Sequence, residues 1–250
     1  MENSDEVQGH PIENWFLGPL GQRFLEIEKK EIGDLSNSLY GNYLLCLGEA
    51  SFVQAISQSS ILHKVWVHPK AKAKEDCSSL SARQDKLPII NDEIHLVYLA
   101  HCLEFVKNPH EVLRESFRVL LPEGHVMISG FNPWSMWGVR RLFSHYKKKW
   151  PWTGKFISIT RLKDWLALLG FDIVSVRFYF FRPPLGFSSF MDHLKWLEPV
   201  GRFLWPIFGG NYVVLAKKRV VTLTPIKPDW LKKEKLVVEE LVEPTARNPG

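Results

Sequence analysis

The sequence predicts an α/β fold, a mostly parallel seven-stranded sheet with helices on both faces. Three observations predict it. Ile94–Leu99 is apolar but for His95, with Ile94, Leu96 and Tyr98 on one face and Val97 and Leu99 on the other. A strand apolar on both faces is covered on both, as in the middle of a parallel sheet. Asn108-Pro109 then places an N-cap before a proline at the first helical position. Leu113, Phe117 and Leu120 follow at i, i+4 and i+7, which gives one apolar helix face. Glu111 in the first turn and Arg118 near the last suit the helix dipole. Finally, Leu121-Pro122-Glu123-Gly124 reads as a tight turn. His125–Ser129 reads as a second buried strand, built on Val126, Met127 and Ile128. Strand, helix, turn and strand make one βαβ unit of roughly 35 residues, crossing over with the right-handed sense.

Composition sets the bounds. A chain of 250 residues suits one large domain or two small ones, and 45% hydrophobic residues suffice for a sizeable core. No run of eighteen or more apolar residues suggests a membrane span. The opening MENSDEVQGHPIENW is acidic and polar, unlike a signal peptide. Cys46, Cys77 and Cys102 lack a CxxC spacing and read as reduced thiols, so a cytoplasmic location is expected. A net charge of +5 suits either an anionic partner or ordinary solubility. There is no GxSxG elbow, no phosphate-binding GxxxxGK loop and no HExxH. The nine histidines show no metal-ligand spacing with cysteines, so no metal is expected.

The other elements follow in order. Residues 1–14 are expected to be disordered. Gly21–Leu39, with Phe24, Leu25, Ile27, Ile32 and Leu35, fits a surface helix ending near Gly33 or Ser36. Tyr43–Leu47 is the first strand, and Val53–Ile56 starts a helix. Lys64–His68 is the second strand, closed by Pro69, and Ser78–Ala82 a short third. Pro69–Ser81, with Lys70, Lys72 and Lys74, reads as a surface loop. Ser135–Tyr146 forms a helix with Trp137, Leu142 and Phe143 apolar. Lys147-Lys148-Lys149 then make a basic run which, with Arg140 and Arg141, suits either a solvated face or a nucleic-acid or anionic membrane contact. In Ile159–Gly170 the stripe Leu162, Trp165, Leu166 and Leu169 faces the core, and Gly170 ends the helix. Phe171–Phe180 is a long strand rich in β-branched and aromatic residues. Arg182–Gly210 is an aromatic-rich insertion that covers a pocket or packs on the body. Asn211–Lys218 is the last strand, and 221–250 a charged, proline-containing tail expected to be disordered.

The block from Leu87-Pro88 and Asp92-Glu93 through Asn108-Pro109-His110, Arg118-Val119-Leu120, Pro122-Glu123-Gly124 and Ile128-Ser129-Gly130-Phe131-Asn132-Pro133 resembles the second half of class I S-adenosylmethionine-dependent methyltransferases. It is similar to a methyltransferase type 11-like, little-characterised bacterial branch of them. The resemblance spans about Tyr40 to Val220 and implies a Rossmann-like methyltransferase fold. The last strand would then slip antiparallel into the sheet. It further implies an N-terminal extension over 1–39, whose helix covers either the cofactor mouth or a sheet edge. The methyltransferase domain would span 40–220, with insertions at 131–157 and 181–210.

The resemblance implies S-adenosylmethionine as cofactor, bound beyond the carboxyl ends of the strands, at the switch point after the first strand. The family's glycine loop is reduced to Gly48 here, with Cys46 in place of its acidic residue and Ala50 and Phe52 in place of later glycines. Glu49 adds a carboxylate that could reach the methionine ammonium. His68 stands where the family carries its ribose-binding carboxylate, and a histidine cannot accept from both hydroxyls. Arg83, after Ala82, stands where many relatives have an aspartate for the adenine amino group. Ala100 opens the loop after the central strand, at the same mouth. Two readings stay open: a cofactor held mainly through backbone groups, or a branch that has lost it.

His101, in the loop after the central strand, is the candidate substrate-facing residue and base; the alternative is a capping histidine at a helix start. As a loop side chain it is expected to carry little of the core, and Glu104 reads as a solvated helix residue. The function implied is methylation of a small, aromatic or amphiphilic substrate. The alternative is a non-catalytic binding or regulatory protein on a degenerate methyltransferase fold.

Overall fold

The computed structural model describes residues 15–69, 77–144, 151–183 and 197–219. The chain divides into Met1–Val220 and Val221–Gly250. The expected tail 221–250, the expected disorder of 1–14, Lys147–Lys149 and the lysines of 70–76 lie outside the described residues.

Seven strands form one sheet: β1 (Tyr43–Gly48), β2 (His63–His68), β3 (Ser78–Ser81), β4 (Ile94–Ala100), β5 (Leu120–Phe131), β6 (Phe171–Tyr179) and β7 (Asn211–Lys218). Their order is β3-β2-β1-β4-β5-β7-β6. The pairs from β3 to β5 are parallel, and β7 runs antiparallel to both β5 and β6. The central position of β4 follows from its two apolar faces, since every residue but His95 is buried. The reversal between β1 and β4 opens a crevice at their carboxyl ends, where such sheets take their ligands.

Helix α1 (Pro19–Ser36) begins with its proline in the first turn and lays Phe24, Ile32 and Leu35 on the sheet. It is not merely a surface helix, for Glu28 and Glu31 are buried too. The helix expected at Val53–Ile56 is a 3-10 helix over Ala50–Ile56. Helix α2 (Pro109–Val119) carries Glu111 in its first turn and Arg118 in its last. The turn expected at 121–124 sits inside β5. Pairing steps from Ile94–Leu120 to Leu96–His125, and Glu123 takes φ 66°. Helix α3 (Met136–Ser144) opens the first insertion. Helix α4 (Ile159–Leu169) starts at the Ser158 cap and ends at Gly170, which takes φ 88° as a left-handed cap requires.

Two apolar layers flank the sheet. Leu45, Leu47, Val97, Leu99, Val126 and Ile128 pack beneath α2 and α4. Phe24, Phe52, Tyr98, Phe131, Trp137 and Phe180 pack on the α1 side. In the second insertion, α5 (Leu197–Leu204) and a 3-10 turn at Pro206–Phe208 leave Phe203, Trp205 and Phe208 exposed. No helix among the described residues is long and apolar enough to cross a membrane.

Candidate functional site

The site is built where β1, β2 and β4 end together. Gly48 pairs with Ala100, and Gly48 takes φ 144°, a region L side chains rarely adopt. A Cβ there would lie 2.3 Å from the Ala100 carbonyl oxygen. The glycine is therefore required by the neighbouring strand as well as by any ligand. Trp66 from β2 donates its indole N–H to the Gly48 carbonyl over 2.9 Å, fixing the turn from below.

A cavity of 200 Å³ opens above this point. Gly48, Glu49, His68, Ala100 and His101 all line it, so five of the sequence-derived residues meet there. The Glu49 carboxylate lies 3.8 Å from His68 Nε2, and the His68 ring stacks on Trp66. Glu49 thus stands at the end of β2, beside the place where the family keeps a carboxylate. An adjoining cavity of 270 Å³ shares Pro69, Gln84 and Val106 with the first and extends past Arg83 and Asp85. Arg83 turns its guanidinium to both Asp85 oxygens. That hydrogen bonding holds the Asp85 carboxyl below its ordinary range, against the opposing effect of burial. Ala82 does not line either cavity; it packs half-buried against the aliphatic layer. Gln84, Asp85 and Val106 carried no motif in the sequence, and only their position after β3 and β4 could have pointed to them.

His101 stands at the inner wall at 2% exposure. Its backbone takes φ 46°, a left-handed conformation in which histidine is among the tolerated residues. Its ring packs on Phe131, Phe52 and Phe24, with centroids 4.3, 5.1 and 5.4 Å away. Nε2 lies 3.3 Å from Glu28 of α1 and Nδ1 lies 3.8 Å from Glu104. Burial alone would lower the imidazole pKa, but Glu28 and Glu104 outweigh it and raise it to about 9. At neutral pH the ring holds its proton, whereas a general base must be free of it.

The expectation that His101 carries little of the core is overturned by this burial. Glu104, expected in solvent, is 3% exposed and accepts the Phe131 backbone N–H at 2.7 Å. Glu28 accepts from the Tyr98 hydroxyl at 2.8 Å. The Tyr98 phenol is pushed well above its usual pKa, by burial first and then by Glu28. Burial and the nearby Glu104 also raise the Cys102 thiol well above its ordinary range, so it is not a reactive thiolate.

Of the suggested basic surface, Arg140 lies 5.4 Å over the Trp152 ring and Arg141 5.2 Å over the Phe156 ring. No cluster of three or more His, Cys, Asp or Glu able to hold a metal occurs among the described residues.

Residues 45–176 match the model of a methyltransferase domain family, over more than half of the chain. The chain belongs to this methyltransferase family. The activity class and S-adenosylmethionine, the cofactor expected from the resemblance, are borne out at that level. The uncharacterized protein YafS of Escherichia coli (strain K12) is 28% identical over 218 residues, covering 85% of this chain and 84% of YafS. Among solved structures, a Thermotoga maritima protein described as a SAM-dependent methyltransferase, possible histamine N-methyltransferase, superimposes with TM-score 0.63 at 19% identity. The match covers 83% of this chain and 94% of that one. The [4+2]-cyclase SpnF gives TM-score 0.54 at 14% identity, covering 77% and 80%. At these identities the structures establish the shared Rossmann-like fold.

Proposed function

We propose that the protein is an S-adenosylmethionine-dependent methyltransferase acting on a small substrate. The observation that carries this is the pair of joined cavities at the carboxyl ends of β1, β2 and β4. One presents Gly48, Glu49, His68 and Ala100, the other Asp85 and Gln84. This donor set fits the cofactor. Glu49 offers acceptor oxygens to an ammonium or to hydroxyls, Asp85 offers an acceptor to an amine, and Val106 and Val112 offer apolar walls to a ring. When bound, S-adenosylmethionine supplies an electrophilic sulfonium methyl. The chain's share is to align the two reactants and to exclude water. His101, protonated between Glu28 and Glu104, would be a fixed part of the wall and not a proton acceptor at neutral pH.

A second reading, a binding protein on a degenerate site, draws on the same geometry. The first cavity is small, below the roughly 300 Å³ usual for ligand sites, and Arg83 cannot accept from an adenine amine. Calorimetric titration with S-adenosylhomocysteine separates the two. The methyltransferase reading expects micromolar binding that weakens in Glu49→Gln and in His68→Ala. A folded protein that takes up no S-adenosylhomocysteine would establish the second reading instead.

A further inference from the structure

A third cavity, of 420 Å³, lies on the α2 and α4 side of the same sheet end. Its walls come from the loop after β4, the start of α2, the loop after β5 and the start of α4. It adjoins the cofactor cleft directly. Val106 faces all three cavities, and Lys107 lines this one and the Arg83–Asp85 cavity.

Its lining has a definite chemistry. Lys107, Lys155 and Arg161 contribute three cations, and no aspartate or glutamate lines it. None of the three is ion-paired with a carboxylate among the described residues, unlike Arg83, Arg114 or Arg118. Ser158 caps α4 and Asn108-Pro109 opens α2, and Ser158 and Pro109 both line the cavity. The positive end of α4 is therefore added to the three side-chain charges, whereas Glu111 in the first turn offsets that of α2. The rest is apolar, with aliphatic Leu103, Val106 and Ile157 beside aromatic rings. The Trp165 ring lies 4.1 Å from that of His110 and under the Arg161 guanidinium at 5.1 Å, while Trp134 stands 71% exposed at the rim.

Three unpaired cations in a bowl without carboxylates select for negative charge, and the indole walls select for a flat apolar body. The volume lies within the range of a small-molecule site and is too small for a polymer. We propose that this cavity binds an organic anion, an aromatic carboxylate or sulfonate that carries a hydroxyl or amine on the edge away from its acid group, and that this anion is the methyl acceptor: the lone pair of that oxygen or nitrogen would take the sulfonium methyl, the methyl–sulfur bond would break to leave S-adenosylhomocysteine, and the proton of the acceptor atom would pass to solvent. The acceptor role rests on the methyltransferase reading above; the binding site does not. The acid group sits among Lys107, Lys155 and Arg161. The ring lies against Trp165 and Trp134, with its far edge directed past Val106 towards the cleft.

The test uses the full-length protein and three probes of one shape: 1-naphthoate, 1-naphthalenemethanol and 1-naphthylmethylamine. Binding is followed by tryptophan fluorescence and by calorimetry, alone and with saturating S-adenosylhomocysteine. Naphthoate should bind at least tenfold more tightly than the alcohol, and the amine should not bind. Lys155→Gln and Arg161→Gln should each weaken naphthoate about tenfold, the scale of one charge-assisted contact. Circular dichroism and S-adenosylhomocysteine affinity should stay unchanged in both variants. Equal binding of acid and alcohol, unchanged naphthoate affinity in both variants, or displacement of naphthoate by S-adenosylhomocysteine would each overturn the site. Naphthoate binding without any uptake of S-adenosylhomocysteine would leave the anion site standing, and would overturn both the acceptor role and the methyltransferase reading.

Discussion

The two faces of the sheet are built from different materials. Beneath α2 and α4 the layer is aliphatic, with Leu45, Leu99, Val126, Ile128, Leu162 and Leu166 each at 1% exposure or less. Beneath α1 the layer is rich in aromatic rings, and that side holds the buried ionisable side chains Glu28, Glu31, His101 and Glu104. The first face is held by close packing, to which each side chain adds in proportion to the surface it buries. The second depends on a charge balance, since a buried carboxylate is tolerated only where it is paired and hydrogen-bonded. The contrast teaches that the two faces should respond differently to the loss of a side chain: the aliphatic face to lost volume, the α1 face to lost charge.

The largest effect should come from breaking the charge balance. Glu28→Ala removes the partner of both His101 Nε2 and the Tyr98 hydroxyl. Removing one member of a buried ion pair costs about 3–5 kcal/mol. Denaturant titration should show such a loss, and Glu28→Gln, which still accepts from Tyr98, should lose less. An effect below about 1 kcal/mol, the scale of an exposed ion pair, would show that water reaches the cluster.

On the aliphatic face, Leu166→Ala should cost about 2–5 kcal/mol by cavity formation alone. Leu166 is fully buried in the layer beneath α4. The two variants should differ in kind: the Leu166→Ala loss should be independent of pH, whereas the Glu28→Ala loss should not.

That pH dependence is the next test. The His101 pKa rises from 6.5 to about 9 on folding, so the folded state holds the proton more tightly. The stabilisation is complete below about pH 6.5 and is lost as pH rises through about 9. The melting temperature should fall across that window in the wild type. In His101→Asn, whose new side chain tolerates the left-handed backbone, the slope should vanish. A slope kept by that variant would assign the proton to another group.

The same contrast explains what the sequence made legible. Periodicity is a local property, so β1, β4, α2, α4 and β7 could be read within a residue or two, and the core of the aliphatic face with them. The parallel order followed from the βαβ unit and the resemblance. The glycine at 48 could be read, but not its contact with the Ala100 carbonyl, which belongs to a strand far along the chain. The cluster was illegible for the same reason. Glu28 looked like any polar residue of a mixed helix, and Glu104 like a solvated one, until the fold placed both against His101. His101 itself was found because loops after parallel strands face the ligand, yet its protonation depends on two distant partners. Arg140 and Arg141 looked free in sequence, and only tertiary packing sets their guanidiniums against Trp152 and Phe156.

The smallest effect concerns the outer edge of the cofactor cleft. Arg83 is exposed and bound to Asp85, and Asp85 lines the cavity beside Gln84 and Val112. In the family an aspartate near this point accepts from the adenine amine, and here the only carboxylate so placed among the residues lining the cavity is Asp85. Arg83 lowers the Asp85 pKa by hydrogen bonding, but an unassisted aspartate, near 3.9, is already ionised at neutral pH. Arg83→Ala should therefore leave the melting temperature unchanged, as expected for an exposed pair, and should leave S-adenosylhomocysteine affinity within about twofold. Asp85→Asn keeps the shape but exchanges an acceptor oxygen for a donor nitrogen, so affinity should fall about fivefold or more. Calorimetry on the two variants side by side checks this. A larger loss for Arg83→Ala than for Asp85→Asn would mean that the guanidinium contacts the cofactor itself, and that Asp85 serves only to hold it in place.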